Sequence, residues 1–438
     1  MSSMINRAVV VGGGMGGLFA AAALSPHAEE VVMVDRDEIP DEAVPRNGTP
    51  QSRHPHVLMF GGMDAMCEWF PGFADDVLDA GAITAVWGRE YVVYRREGMS
   101  YSVNAYMPEP ADLGTMYVLT RPVLETCVRR RVLSLPNVAL RTGTRIEDLV
   151  HDGGRVTGTR DAQGAVLDAD LVVDASGRQS RLPMWLEAMG FPRPAQETVN
   201  CDNAYSTTII VPADWDALPA TVAGFGNYNE GEFPSRGAAI FKLSGGRWMA
   251  SLAGRHGDYP PMEWEAWCEW SRTVRNGPLA DLVAGATPIE GPVRYRLPAA
   301  IRWRYDLLDR FPDGIIPIGD AIAFFNPIYG QGMSAAAGEC RALHAVLARR
   351  AAAGEGLDGL ALEYFPQMAE WARTAWALAA AGDFEDPNCT GDFPADDMPD
   401  VEKLGALAAS TDPHDRQLSL DIATLRKPLA ALHNSQSA

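Results

Sequence analysis

The chain has 438 residues and a mass of 47.3 kDa, more than one ordinary domain holds, so two or three units sharing a core are expected. Its 47% hydrophobic and 21% charged residues, with 42 Gly and 31 Pro dispersed along it, describe a folded globular chain and exclude a disordered or fibrous one. A formal charge of −20 repels phosphate backbones and anionic lipid surfaces, which argues against nucleic acid as a partner.

The six cysteines (Cys67, Cys127, Cys201, Cys268, Cys340, Cys389) are never closer than 49 residues, so no zinc-ligand spacing exists and no metal is expected. Scattered thiols suit a reducing cytoplasm. The start of the chain lacks a basic segment followed by an unbroken apolar run, because five glycines interrupt Ala8 to Leu24. Neither a signal peptide nor a membrane span is expected.

In chain order, the apolar run RAVVV (Arg7 to Val11) is followed by GGGMGG and then LFAAAAL, which predicts strand, glycine turn and helix. A second run, VVMV, ends at Asp35, so the chain opens with a βαβ unit and a doubly wound parallel sheet. A loop rich in Pro, Arg and His (Pro45 to His56) leads to a helical stretch from Val57 to Phe70, and strand-like residues follow at Tyr91 to Tyr94. Next come a helix at Arg121 to Val132, an edge strand at Val138 to Leu140, a hairpin turned at Gln163-Gly164, and the buried strand ADLVVD (Ala169 to Asp174).

From Cys201 to about Ile301, alternating strands rich in aromatics predict a mostly antiparallel sheet: Ala204 to Val211, Gly237 to Leu243 and Trp248 to Ala253. Trp264, Trp267 and Trp270 share one helical face and read as glue between a helix and that sheet. GIIPIGD (Gly314 to Asp320) is again a buried strand, followed by a long alanine-rich helix from about Gly332. The stretch from Asp383 to Asp400 holds seven acids and no base, and reads as a solvated linker before terminal helices.

Three motifs carry chemistry. Gly12, Gly14 and Gly17 form G-x-G-x-x-G, which turns the backbone tightly and aims a helix N-terminus at a pyrophosphate. Asp35, 21 residues after Gly14 at the end of the second strand, is placed to accept hydrogen bonds from ribose hydroxyls, with Arg36 beside it. The second motif is Gly319-Asp320 followed by AIAFFNPIYGQGMS. There an acid at a strand end suits a polyol chain, and Pro327, Gly330 and Gly332 break the backbone before a helix at Met333. That helix N-terminus would face the electronegative edge of a flat ring, worth up to ~2 kcal/mol if partly buried. This pattern suits a flavin, since a nicotinamide has no polyol to explain Asp320. The third is VVDASGRQSRLPMWL, from Val172 to Leu186.

With these three fingerprints in this order, residues 7 to about 345 resemble the FAD-dependent aromatic hydroxylase and epoxidase superfamily, the group A flavin monooxygenases. PRNGTPQSRHPHVLMFGG, DASGRQSRLPMWL and GDAIAFFNPIYGQGMS look like its natural-product branch, which is similar to polyether polyene epoxidases and squalene epoxidases. The resemblance implies an α/β chain: a Rossmann-like FAD domain of the GR2 type, an inserted antiparallel β-sheet substrate domain and a C-terminal helical region. The FAD domain would comprise residues 1–200 and 300–345, with substrate-domain strands interleaved near 85–120. Residues 201–300 would form the sheet, and residues 346–438 the helical region with its acidic linker at 383–400. The resemblance further implies FAD contacts from Gly12, Gly14, Gly17, Asp35, Arg121, Asp174 and Asp320, with Pro327, Gly330, Gly332 and Met333 beside the ring. Arg36, Arg46 and Gln51 are further candidates for the cofactor's phosphates or the loop around them. His56, Pro327 and Gly332 are the candidates nearest the reacting atoms, although no catalytic residue is assigned. His54 is read as satisfying loop backbone.

One departure bears on reduction. The superfamily's Asp-Gly pair reads Asp174-Ala175 here, with Gly177 displaced, and no second G-x-G-x-x-G follows a strand. NAD(P)H is therefore expected to bind transiently, or a separate flavin reductase to supply the electrons.

The resemblance implies that reduced FAD and molecular oxygen give a C4a-hydroperoxide, which would transfer one oxygen to a hydrophobic small molecule in a dry pocket. Phe225, Phe233, Phe241, Trp248, Tyr295, Phe324, Phe325 and Tyr329 are candidate walls. Flavin halogenation is excluded, since no lysine precedes Lys242 and no Trp-x-Trp-x-Ile-Pro segment occurs. The alternative is a redox-neutral, FAD-bound cyclase of natural-product biosynthesis.

Overall fold

The computed structural model describes residues 3–95, 98–101, 114–227 and 231–434. The opening strand Ile5–Val11 lies at the centre of a five-stranded parallel sheet, between Ala28–Val34 and Leu171–Asp174; Val138–Arg141 and Ile315–Pro317 form the two edges. Val9, Val10, Val31, Val32, Val172 and Val173 are all buried, as runs covered on both faces of a parallel sheet must be. Pro317 costs no ladder bond because its strand is an edge. The helix Met15–Leu24 packs its alanines against the long helix Gly332–Ala353, which in turn pairs with Leu360–Asp383. A Cβ on Gly338 would stand 2.4 Å from the ring of Trp371, so glycine is what lets those last two helices approach.

An eight-stranded, mostly antiparallel sheet includes Asn203–Val211, Arg247–Arg255, Gly237–Leu243 and Val222–Gly226, and Tyr91–Arg95 extends it with a parallel pairing to Val222–Gly226. Residues 102–113, within the stretch expected to interleave, lie outside the described residues. One face of this sheet packs on the helix Trp264–Ser271, where Trp267 is fully buried and donates from Nε1 to the carbonyl of Ser206 at 3.2 Å.

The acidic stretch is not the solvated linker its composition suggests. Asp383 closes the helix Leu360–Asp383, Thr390–Gly391 pairs with Ala195–Asn200, and Asp383, Asp386, Asp397 and Asp400 are buried. Arginines from elsewhere in the chain account for much of this burial, since Arg255 pairs with Asp383 at 3.0 Å and Arg373 reaches both Asp397 and Asp400. Among the described residues no helix is long and apolar enough to cross a membrane, all six cysteines are free, and no cluster of His, Cys, Asp or Glu could hold a metal.

Candidate functional site

The glycine turn sits where the central strands end. Gly12 has φ +114°, and a Cβ there would stand 2.3 Å from the carbonyl oxygen of Ala175. A Cβ on Gly17 would meet the Gly12 carbonyl at 1.8 Å, so Gly17 serves helix packing beneath the turn rather than a ligand. Gly14 differs, because its Cβ would meet nothing nearer than the Arg46 guanidinium at 4.0 Å. That open side belongs to a groove of about 260 Å³ running past Asp35, Arg36, Arg46 and Gln51 on one side and past Arg121, Asp320, Gly332 and Met333 on the other.

Within it, Asp35 already accepts from the backbone N–H of Gly13 at 2.6 Å and of Asp37 at 2.8 Å, which holds the acid against the glycine turn. Arg46 also approaches both carboxylate oxygens at 3.5 Å, and the acid lines the groove as a charged acceptor. Arg46 and Arg121 are held apart by a residue that sequence reasoning missed: Glu125, buried, accepts from Arg46 at 2.8 Å and Arg121 at 3.0 Å. Burial would raise its pKa, but Arg121 and Arg46 overcome this and hold it below the usual carboxylate range. The signal was available, since Glu125 stands four residues after Arg121 on the helix Arg121–Leu133.

Asp320 takes the end of the strand Ile315–Pro317. Burial raises its pKa against the pull of Arg178 and Arg121. Behind it lies a second missed acid, Glu339, 1% exposed, whose Oε2 accepts the Gly319 N–H at 2.7 Å. Burial first, then the neighbouring Asp320, push Glu339 up to about 8. Gly330 takes the left-handed turn, at φ +69°, and the helix begins at Gly332, one residue before the expected Met333. Gln331, preceding that helix, is buried with Oε1 unpartnered.

Asp174 does not line the groove. It is buried, and its carboxylate accepts from the hydroxyls of Ser176 and Ser180, both at 2.5 Å, so its work is to hold the turn that carries Ala175 and Gly177.

The groove fits a flavin dinucleotide. It offers a glycine turn open at Gly14 for a pyrophosphate, an acid at each of two strand ends for ribose and polyol, and a helix starting at Gly332 with no side-chain cap on its N-terminus.

A second cavity, about 660 Å³ and mostly apolar, adjoins the loop of Pro327 to Gly330, and both of those residues line it together with His56. Trp87, Tyr91, Phe225, Phe241 and Tyr329 furnish its aromatic walls. Five of the expected wall residues lie elsewhere. Trp248 is fully buried on the opposite face of the sheet, because side chains alternate along Arg247–Arg255 and only Ser251, Ala253 and Arg255 face the cavity. Tyr295 and Phe324 carry the Arg178 guanidinium at 5.2 and 5.7 Å, Phe325 packs on Trp376, and Phe233 stacks on Arg236.

His56 Nδ1 lies 2.9 Å from the carbonyl oxygen of His54, which can only accept, so the ring's proton is on Nδ1 and Nε2 carries a lone pair. Burial, then Arg121, lower its pKa to about 4 and keep the ring neutral. His54 is 1% exposed, edge-on to Tyr205, and lines neither cavity.

Under the floor of the cavity, Asp383 accepts from Asn326 at 2.7 Å, Tyr329 at 3.1 Å and Arg255 at 3.0 Å. One buried carboxylate thereby ties the loop after Phe325 to the eight-stranded sheet and to the helix Leu360–Asp383.

The fold is that of the FAD-binding monooxygenases. The chain belongs to the same family as Protein Rv3254 of Mycobacterium tuberculosis, to which it is 33% identical over 400 residues, 88% of this chain and 82% of that protein. No protein-family model matches it. Among solved structures, the flavin-dependent brominase Bmp2 superposes with a TM-score of 0.67 at 14% identity, covering 98% of each chain. HpxO of Klebsiella pneumoniae, complexed with FAD and uric acid, gives 0.60 at 16% identity over 98% of this chain and 95% of HpxO.

Proposed function

We propose that this chain is an FAD-dependent monooxygenase that inserts one oxygen atom into a hydrophobic small molecule in the cytoplasm. The reaction would be epoxidation of an olefin, or hydroxylation of an electron-rich ring, in a polyketide or terpenoid. The observation that carries this reading is that one continuous stretch, a loop and the helix start after it, walls both cavities: Gly332 and Met333 border the groove, Pro327 and Gly330 the apolar chamber. A ring seated at the end of the groove would face the chamber across that loop.

Bound flavin, when reduced, supplies the chemistry that activates oxygen. The protein's residues have four tasks. Gly12 and Gly14 give backbone room to the pyrophosphate, Asp35 takes the ribose, Asp320 takes the ribityl chain, and the helix N-terminus at Gly332 favours negative charge on the adjacent ring edge. Trp87, Phe225 and Phe241 exclude water from the chamber. His56 keeps an acceptor nitrogen for a donor group of the substrate or the ring. Asp383 fixes the loop through Asn326 and Tyr329. In this reading residues 1–200 and 300–345 hold the cofactor, 201–300 roof the substrate, and 346–438 buttress the loop. Electrons would come from NAD(P)H bound transiently, or through a separate flavin reductase.

One observation favours a second reading, a redox-neutral cyclase that uses FAD as a wall. The carboxylate of Asp174 is consumed by Ser176 and Ser180, which leaves that motif without a free acid for a nicotinamide. A single experiment separates the two. FAD-loaded protein is given candidate polyene or phenolic polyketides, with NADPH and a flavin reductase under air, and with oxidised FAD alone under nitrogen. The oxygenase forms a product heavier by one oxygen atom only in air. A product of unchanged mass under nitrogen would make the cyclase the correct reading.

A further inference from the structure

The cavity wall facing the sheet contains a buried polar chain that an apolar pocket does not require. Thr207 and Ser251 are direct cross-strand partners with Oγ1 and Oγ 2.7 Å apart, and Thr207 Oγ1 is 2.8 Å from Nδ1 of His54. All three side chains are buried, and of the three only Ser251 lines the cavity. At the other end of the chain, His54 Nε2 is buried with no partner.

The direction of the chain follows from that unpartnered nitrogen. Burial, reinforced by His56 and Arg53, lowers the pKa of His54 to about 3, so the ring is neutral and carries one proton. On Nε2 that proton would be a buried, unsatisfied N–H, whereas on Nδ1 it meets Thr207 and leaves only a lone pair unpaired, the cheaper defect. His54 then donates to Thr207, and Thr207 to Ser251. The Ser251 hydroxyl makes no other hydrogen bond among the described residues, so its O–H is left to point into the cavity.

We infer that Ser251 is the polar anchor of the substrate cavity, a hydroxyl donor oriented outward by Thr207 and His54, and that the substrate carries an acceptor oxygen, a carbonyl or an ionised phenol, where it rests on strand Arg247–Arg255. This rests on reading the 660 Å³ cavity as the substrate site. Such an anchor fits an oxygenated polyketide better than a bare hydrocarbon terpenoid. It would also hold one end of the molecule while the other meets the loop at Pro327.

Two isosteric probe pairs test it by calorimetry on FAD-loaded, oxidised protein: 2-acetylnaphthalene against 2-isopropylnaphthalene, and 4-nitrophenolate against 4-nitrotoluene at about pH 8.5. A hydrogen bond to the neutral carbonyl, about 0.5–1.5 kcal/mol, corresponds to a roughly 2- to 13-fold preference, and one to the charged phenolate, about 1.5–3 kcal/mol, to roughly 13- to 160-fold. We expect that preference in at least one pair, and the pair that shows it tells carbonyl from phenolate. Ser251→Ala should bring the ratio to about one while leaving the affinity for the hydrocarbon partner within about twofold. Preference in neither pair, preference that survives Ser251→Ala, or absence of binding by all four probes overturns the inference. No turnover is involved, so such a failure leaves the oxygenase reading to its own anaerobic test.

Discussion

Replacing Glu339 by Gln should stabilise the protein, and the gain should grow with pH. Glu339 is buried behind the Gly319-Asp320 turn, where desolvation and the negative charge of Asp320 raise it from 4.5 to about 8. Between those two pH values the native state keeps a proton that the unfolded chain has released, so stability falls as pH rises and levels off above about 8. At ~1.36 kcal/mol per pH unit, the ~3.5-unit window amounts to at most ~5 kcal/mol, and ~3 kcal/mol at pH 7. Gln cannot ionise, yet its amide oxygen still accepts the Gly319 N–H that Glu339 takes at 2.7 Å. The variant should thus match wild type near pH 4.5 and exceed it progressively above. For a chain of this size 1 kcal/mol moves the melting temperature by ~1 °C, so the two melting curves should diverge by ~3–5 °C between pH 5 and pH 9. At pH 7 Glu339 already carries its proton, so Gln changes no charge beside Asp320 and FAD affinity should not fall. Melting temperatures that run parallel across this pH range would refute the reasoning, because the carboxyl would then carry the same charge in both states.

Other substitutions probe the groove and the buried acid. Asp35→Ala removes a charge-assisted acceptor worth about 1.5–3 kcal/mol, so FAD should bind roughly 10- to 150-fold more weakly by equilibrium titration; an unchanged dissociation constant would remove Asp35 from the site. Gly14→Ala should fold as wild type and lose FAD, because its Cβ enters the groove, whereas Gly12→Ala should fold poorly, with its Cβ 2.3 Å from the Ala175 carbonyl; circular dichroism and FAD titration together separate the two. Gly332→Val is expected to behave like Gly14→Ala, since a Cβ there meets only Asp320 Oδ1 at 3.9 Å. Asp383→Ala strands the Arg255 charge and should cost about 3–5 kcal/mol in a denaturant melt, with Asp383→Asn milder because the amide still accepts from Asn326 or Tyr329.

What the sequence made legible was local. Gly12 to Asp35 lies within one βαβ unit, so spacing alone brings the glycine turn and the acid to one groove. Gly319, Asp320 and Gly332 are equally close in sequence, and helix and loop boundaries there follow the glycine and proline punctuation. Glu339 left a signal that was passed over: a lone acid seven residues into an alanine-rich helix has to be buried or paired. The cavity wall was harder to read because the strand Arg247–Arg255 is buried on both faces, so hydrophobicity does not mark which alternate residues face a ligand. Volume misled there, since Trp248, the largest side chain of that strand, fills the far face, and the small Ser251 and Ala253 leave the space.

The acidic stretch shows why composition fails at long range. Seven acids without a base read as solvated when the window stops at Asp400, but the cations that neutralise several of them lie on other elements. Arg255 is 128 residues from Asp383 and Asn326 is 57, and both bond to it. A lone buried carboxylate costs several kcal/mol, and here burial does raise the pKa of Asp383 despite Arg255, Asn326 and Tyr329. Such a site persists where donors from two separate elements, the loop of Asn326 and Tyr329 and the strand of Arg255, must be held in one arrangement. In this chain those donors hold the loop that separates the dinucleotide groove from the apolar chamber. Asp383→Asn should therefore disturb oxygen transfer more than FAD affinity. The ratio of peroxide released to product formed would rise, while the FAD dissociation constant stayed within about threefold. A variant that loses FAD in proportion to activity would mean that the network supports the groove alone.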